Sequence, residues 1–237
     1  MLQPRELVRE GKSKRVYATE DPDLAILYFK DETAAFNGLK RGRIIGKGEV
    51  NNAVCRKIFT LLAENGVENH YLEQLDARQS VVRRCEMIPM QVKVRDRVAG
   101  HLMQRVDLPI GTELKEPVIE FVLKNEELEY PMLNYTHIRA LGLATQEEMD
   151  AITATALRVN EVLKTFTREI GVELVNFKLE FGRYKGRILL ADEISPDTAR
   201  LWDSNTHEPM DIDRFKEDLG NAEQAYQELL NRMMGNK

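Results

Sequence analysis

Cysteine is nearly missing from this chain, and so is any long apolar run. Cys55 and Cys85 are the only two cysteines, too few for a disulfide framework, so a reducing compartment is expected, the cytoplasm foremost. No apolar stretch approaches the roughly 18 residues needed to read as a membrane-spanning helix, and the opening MLQPRELVREGKSKR has no apolar core of signal-peptide length. No membrane partner is expected. An excess of basic charge is also lacking. The net charge of −5 argues against a general nucleic-acid binder, although it leaves room for a local basic pocket. Internal repeats and low-complexity tails are absent. What remains is a chain of 237 residues, 43% hydrophobic and 31% charged. That is the make-up of an ordinary globular protein with one large domain or two modest lobes.

The most informative stretch is LVNFKLEFGRYKGRILLADEISPDTARLW, residues 174–202. Val175, Phe177, Leu179 and Phe181 alternate with Asn176, Lys178 and Glu180, a period of two that predicts a strand with one apolar and one polar face. Ile188 to Ala191 reads as its hairpin partner. Tyr184-Lys185-Gly186 suits a three-residue turn with glycine in the left-handed conformation. That turn pairs Arg183 with Arg187, Lys178 with Asp192 and Glu180 with Leu190. Glu180 and Asp192 then become diagonal neighbours on one face, about 7–8 Å apart. Two carboxylates so placed can share a divalent ion, with Lys178 beside them for an anion. Mg2+ in nucleotide sites is held by few carboxylates and by phosphate oxygens. Ile188 and Leu190 would give a base an apolar floor. A half-exposed sheet carrying a surface salt bridge accounts for the same spacing.

Elsewhere the pattern predicts an N-terminal hairpin over Leu7–Thr19 with a basic tip, Gly11-Lys12-Ser13-Lys14. Glycine beside two lysines lets backbone and ammonium groups approach phosphates, but this is not a Walker loop. A strand follows at Ala25–Lys30. Residues 36–48 carry Gly38, Gly42, Gly46 and Gly48 among Lys40, Arg41, Arg43 and Lys47, and read as a long loop able to close over a ligand. A helix is expected over 49–65. Strands are expected at 80–84, 90–95 and 117–125, with Pro89 interrupting the chain between the first two. Arg95 and Arg97, at a strand end leading into a helix, suit a phosphate or a carboxylate. Thr145-Gln146-Glu147-Glu148 is a capping box opening a helix to about Glu169. Ser195-Pro196-Asp197 starts a short turn or helix with Arg200 one turn along. Residues 212–234 read as a helical region broken near Gly220, its charges forming a solvated face.

Together, EGKSKRVY, FKDETAAFNG, KGEVNN, IPMQVKVRDRVAGHL, FVLKNEELEYPM, LVNFKLEFG and ADEISPDTARLWD resemble the phosphoribosylaminoimidazole-succinocarboxamide synthase (SAICAR synthetase) family, in order and over nearly the whole chain. The resemblance implies a two-lobed α+β fold of ATP-grasp-like type. Its antiparallel sheets carry flanking helices and enclose an interlobe cleft, with an N-terminal nucleotide-binding lobe at 1–86 and a C-terminal lobe at 87–237. It implies a ligase of purine biosynthesis that uses ATP and Mg2+. ATP activates the carboxylate of carboxyaminoimidazole ribotide as an acyl phosphate, and L-aspartate supplies the amine. Carried over by motif, Lys12, Ser13, Lys14 and Val16 meet the nucleotide, with Arg83, Arg84 and Met87 by the adenine and Lys124 nearby. Glu180 and Asp192 hold Mg2+. Arg95 and Arg200 bind the ribotide through its phosphate, and Lys178 lies between the reacting groups. Thr33 and Asn37 touch substrate, and a homo-oligomer is implied.

The chain departs from the family pattern at Asn176 and His101, both on the ribotide side, and also at Gln91 and at Thr198-Ala199. Asn176 stands where aspartate is usual, His101 where serine is usual and Gln91 where glutamate is usual. Histidine still donates to phosphate and asparagine still accepts from a hydroxyl. Two other readings stand beside the purine ligase. One is a diverged ATP-dependent carboxylate–amine ligase, for which the Asn176/His101 pair is the discriminating feature. The other is a non-catalytic nucleotide-binding regulatory module, against which Glu180 and Asp192 speak.

Overall fold

The computed structural model describes residues 2–35 and 38–235. Its first sheet is built from β1 (Leu7–Glu10), β2 (Lys14–Ala18) and β3 (Leu24–Phe29). A separate hairpin, β4 (Glu32–Ala35) and β5 (Lys40–Arg43), and the helix α1 (Lys47–Glu64) come next. The sheet is completed by β6 (Tyr71–Gln74) and β7 (Gln79–Arg83), in the antiparallel order β1-β2-β3-β7-β6. Ala25, Leu27 and Val82 are buried, and α1 seals this layer with Val54, Ile58 and Leu62 at helical spacing.

A second antiparallel sheet contains β8 (Glu86–Arg97), β9 (Glu113–Leu123) and β10 (Met132–Leu133), then, after helices α2 (Tyr135–Ala140) and α3 (Gln146–Glu169), β11 (Val172–Tyr184), β12 (Arg187–Ala191) and β13 (Ala199–Asp203). The chain ends in α4 (Asp213–Lys216) and α5 (Ala222–Met234). Strand β11 is the axis: β8 runs along one edge, while β13 and then β12 share the other. Its apolar face, Val175 apart, joins the main core through Phe177, Leu179 and Phe181. The expected capping box opens α3, with the Glu148 N–H donating to Thr145 Oγ1 at 3.2 Å and the Thr145 N–H donating to Glu148 Oε2 at 2.9 Å. Met149, Ile152, Ala156, Val159 and Leu163 are all buried. Each contributes about 1.5–3 kcal/mol if it is a large aliphatic side chain, which makes α3 a scaffold for β11.

Several expectations are corrected. The hairpin turn has two residues, not three. Tyr184 pairs with Arg187, Arg183 with Ile188 and Glu180 with Ala191. Lys185 and Gly186 both take positive φ, 49° and 78°, the primed turn whose twist matches the flanking strands. Lys178 therefore does not face Asp192; it faces Lys93 of β8. Leu190 shares the core face with Phe181 and gives no floor to a ligand.

The chain is also not interrupted before Met90. Strand β8 runs straight through Pro89, because a register shift against β11 between Gln91 and Met87 places the proline at a bulge. Much of 36–48 is strand β5 and the start of α1, not loop. The segment after Ala99 forms a single 3₁₀ turn, Gly100–Gln104. Arg200 lies in strand β13 and not on a short helix.

Candidate functional site

The two sheets face each other across a cavity of about 320 Å³. From the first sheet come the hairpin tip Lys12, Ser13 and Lys14, then Val16, Ala25, Leu27, Val82, Arg83 and Arg84. From the second come Met87, Gln91, Lys124, Lys178 and Glu180, and beyond β12 come Asp192 and Glu193. Every residue matched to nucleotide and metal by motif thus reaches one cavity. Its apolar wall is Val16, Ala25, Leu27, Val82 and Met87, replacing the expected Ile188 and Leu190.

Glu180 and Asp192 line this cavity together, yet the expected route to that result is wrong. With Glu180 opposite Ala191, strict alternation would turn Asp192 to the far face. Asp192 instead takes φ 63°, a left-handed conformation that breaks the alternation just past the strand end. The Asp192 carbonyl bonds to His70 Nε2 at 2.8 Å. His70 is buried, and that burial depresses its pKa to about 4. It stays neutral, so its Nε2–H is the donor to that carbonyl.

Lys14 is nearly enclosed and reaches Asp192 Oδ1 at 2.6 Å and Glu193 Oε1 at 3.1 Å. Burial opposes its charge, but the two carboxylates outweigh that and hold the ammonium well above its usual range. Asp192 is likewise opposed by burial, yet Lys14, Lys178 and Lys124 keep it far below the usual carboxylate range. Glu193, also buried, accepts from Ser13 Oγ at 2.7 Å and Ser195 Oγ at 3.2 Å. Glu180 is paired with Lys124 and accepts from Gln91 Nε2 at 3.3 Å. The two carboxylates of Glu180 and Asp192 beside lysines suit Mg2+, which takes few protein ligands and completes its shell with phosphate oxygens and water. Lys12 reaches Glu126 at 2.8 Å.

A second cavity, about 180 Å³, lies further along β8 and β11. It brings together Arg95, His101, Asn176, Lys178 and Arg200, all five residues matched to the ribotide. Arg95 is buried and donates through Nε to Glu120 Oε2 at 2.8 Å. Arg200 is held through Nε by Asp213, which also takes Lys216 at 2.8 Å. Asp213 is opposed by burial, but Lys216 and Arg200 keep its pKa below the usual range. Gly100, at φ 56°, lies so close that a Cβ there would meet Arg200 Nη1 at 2.8 Å. Asp211 is fully buried, its oxygens accepting from the N–H groups of Leu201 at 2.7 Å and Asp213 at 2.8 Å. Burial and the Asp213 charge push it up to about 7. The expected solvated face of 212–234 is corrected here, since Asp213 is buried. Lys178 lines both cavities.

One matched residue lies elsewhere. Thr33 is buried in β4 opposite Gly42 and borders neither cavity, and Asn37 lies outside the described residues. Functional groups that the sequence reading passed over include Glu120, Glu193, Asp213 and Lys93. The alternation of Gln91, Lys93 and Arg95 was the available signal for the last. Asp197, also on the second cavity, is tied to the fully buried Lys47 at 2.6 Å and to the Tyr226 hydroxyl at 2.7 Å. A roomier cavity of about 600 Å³ behind Arg200 is walled by Met103, Ile110, Trp202 and Leu219. Its Arg97 and His207 already pair with Glu173 at 3.4 and 3.0 Å, which leaves it few groups for chemistry.

Comparison with known proteins agrees with this geometry. The model of the SAICAR synthetase family matches residues 7–233. A phosphoribosylaminoimidazole-succinocarboxamide synthase from Clostridium acetobutylicum is 46% identical over 234 residues, covering 99% of this chain and 100% of the relative. A solved SAICAR synthetase in complex with ADP superposes with a TM-score of 0.95 at 43% identity, over 98% of this chain and 99% of that one. The Ehrlichia chaffeensis synthase gives 0.95 at 37% identity, over 97% and 98%. With its α+β fold and whole length matched, the chain belongs to the SAICAR synthetase family, the ATP-dependent ligases of purine biosynthesis that join L-aspartate to the carboxylate of carboxyaminoimidazole ribotide.

Proposed function

We propose that the two cavities divide the reactants between them, with ATP in the first and carboxyaminoimidazole ribotide in the second. The observation that carries this reading is Lys178, which stands on the common wall. Residues 1–86 act as the nucleotide lobe and 87–237 as the substrate lobe. The adenine rests on Val16, Ala25, Leu27, Val82 and Met87, with Arg83 and Arg84 at its edge. Lys12, Ser13, Lys14 and Lys124 meet the phosphates. The ADP held by a solved relative at 43% identity supports the nucleotide assignment. Glu180 and Asp192 hold Mg2+, which when bound neutralises phosphate charge and aligns the triphosphate.

Arg95, His101 and Arg200 hold the ribotide phosphate, and Asn176 meets the ribose. A carboxylate oxygen of the ribotide attacks the γ-phosphorus of ATP. The bond to the ADP oxygen breaks and an acyl phosphate forms. The aspartate amine then attacks the acyl carbon, a C–N bond forms, and inorganic phosphate leaves as the amine gives up a proton. Lys178 offsets negative charge at the meeting point in both steps, where a fixed cation is worth most. Thr33 and Asn37 contribute further substrate contacts.

The same proposal places the enzyme in the cytoplasm as a homo-oligomer. Exposed apolar side chains around β9 and β10, namely Val118, Leu128, Met132 and Tyr135, support self-association, and sedimentation of the purified chain checks it. The reaction is tested by ADP release with aspartate and ribotide each omitted in turn. Release that needs both supports the proposal, and release that needs neither overturns it.

A further inference from the structure

Three cross-strand pairs line one face of the second sheet: Arg95 with Asn176, Lys93 with Lys178, and Gln91 with Glu180. The first pair stands at the ribotide end and the last at the nucleotide end. The middle pair sets two ammonium groups directly opposite each other, a placement that costs stability in a sheet. Both line the 180 Å³ cavity. Among the described residues neither has a carboxylate within 4 Å and neither donates a side-chain hydrogen bond. Glu120, which faces Lys93 from β9, is taken by Arg95 at 2.8 Å and Arg105 at 2.7 Å. The acids that line the cavity are also committed: Asp197 to Lys47, Asp213 to Arg200 and Lys216, and Asp211 to the N–H groups of Leu201 and Asp213. Asn176 Nδ2 is buried without a partner beside them. The cavity therefore offers donors in surplus midway between its two ends, which is a site for an anion with at least two acceptor oxygens.

We propose that Lys93 is a further substrate-contacting residue, which with Lys178 forms an ammonium pair that reads the ribotide's carboxylate. This rests on the ribotide reading of the second cavity given above. The carboxylate is favoured over the phosphate by position: Arg95, His101 and Arg200 gather at one end, and Glu180 with Asp192 marks the other. Each ammonium meets one carboxylate oxygen, and the like-charge opposition turns into attraction once the anion is between them. Burial, Arg95 and Lys178 pull the Lys93 ammonium below its usual range, and a bound anion reverses that penalty. The pair thus selects the carboxylated ribotide over the same ribotide without its carboxylate.

The test is steady-state kinetics of K93M beside the native enzyme, with the decarboxylated aminoimidazole ribotide as a competitive inhibitor. The KM for the carboxylated ribotide is expected to rise about tenfold to a hundredfold, the loss usual for a charge-assisted contact. The KM for ATP and the inhibition constant of the decarboxylated ribotide stay within about twofold, and K93R recovers much of the loss. A purely structural lysine would lower the melting temperature and weaken both ribotides equally. Equal weakening, or an unchanged KM, overturns the inference. If K93M does not fold, K93Q at this half-buried strand position carries the same comparison. Native enzyme that fails to turn over the carboxylated ribotide at all overturns the functional proposal instead, so the two failures are told apart.

Discussion

The two cavities share a wall and a lysine but treat charge in opposite ways. In the nucleotide cavity each acid is matched to a base: Asp192 and Glu193 to Lys14, and Glu180 to Lys124. Around the ribotide cavity Glu120 orients Arg95 and Asp213 orients Arg200, while Asp197 is tied to Lys47 and Asp211 to backbone N–H groups, and among the described residues neither Lys93 nor Lys178 has a carboxylate within 4 Å. On the proposed assignment, one cavity would exchange partners, a cation and phosphates replacing its internal pairs. The other is arranged to present fixed positive charge, with its acids acting as props.

That contrast can be broken by mutation. The largest effect is expected from E180Q or D192N, which remove a ligand of the proposed cation. Turnover falls about a thousandfold, matching several kcal/mol of transition-state stabilisation, and nucleotide affinity measured by calorimetry becomes insensitive to added Mg2+. Retained turnover would sink the assignment. K178M should lower kcat about a hundredfold and also raise the ribotide KM about as far as K93M does, while leaving the KM for ATP within a few-fold, because the lysine both pairs with Lys93 and acts where the cavities meet. R200M should raise the ribotide KM by about tenfold to a hundredfold and leave the ATP KM alone, and K14M the reverse. If both variants move both constants alike, the division between cavities is wrong.

A smaller effect sharpens the same point. In G100A the new Cβ would meet Arg200 Nη1 at 2.8 Å from a backbone already at φ 56°. The ribotide KM is expected to rise about tenfold, with a stability loss of about 1 kcal/mol for alanine at positive φ, read as a lower melting temperature. The ATP KM should not respond.

The smallest effect on catalysis comes from Asp31, which borders neither cavity. Burial opposes its ionisation, but Arg78 at 2.7 Å and the Gly48 N–H at 2.9 Å outweigh it and hold the carboxyl at about 2. A carboxyl lowered on folding contributes stability that is fully present above its ordinary pKa near 4 and is lost as pH falls toward 2. On the order of 2 kcal/mol should disappear across that window. In D31N the loss is already present at neutral pH and the acid dependence is flatter, with both KM values unchanged. Thermal melts from pH 2 to 7 check this.

Much of the second sheet was legible because alternation is local. Asn176, Lys178 and Glu180 had to share a face, as did Gln91, Lys93 and Arg95, whatever they paired with. The capping box at Thr145 and the apolar stripe behind it were equally plain. The hairpin register was not legible, since it hung on Lys185, a side-chain-bearing residue, accepting a left-handed conformation that glycine alone makes cheap. Nor could the sequence separate a solvated aspartate from a buried one. Asp213 reads as surface charge until Arg200, from another strand, closes on it. Asp192 reached the correct side by a backbone reversal that no periodicity encodes.

By itself, then, the sequence determined the elements, the faces on which their polar residues stand, and the set of cations and carboxylates available for phosphate and metal chemistry. Those follow from periods of two and of three to four residues along a continuous chain. The tertiary structure alone decided which acid answers which base, that Lys178 belongs to two cavities, and that Lys93 stands opposite it. Each of those pairings joins residues far apart in the chain, and local periodicity carries no information about which distant strand will lie alongside.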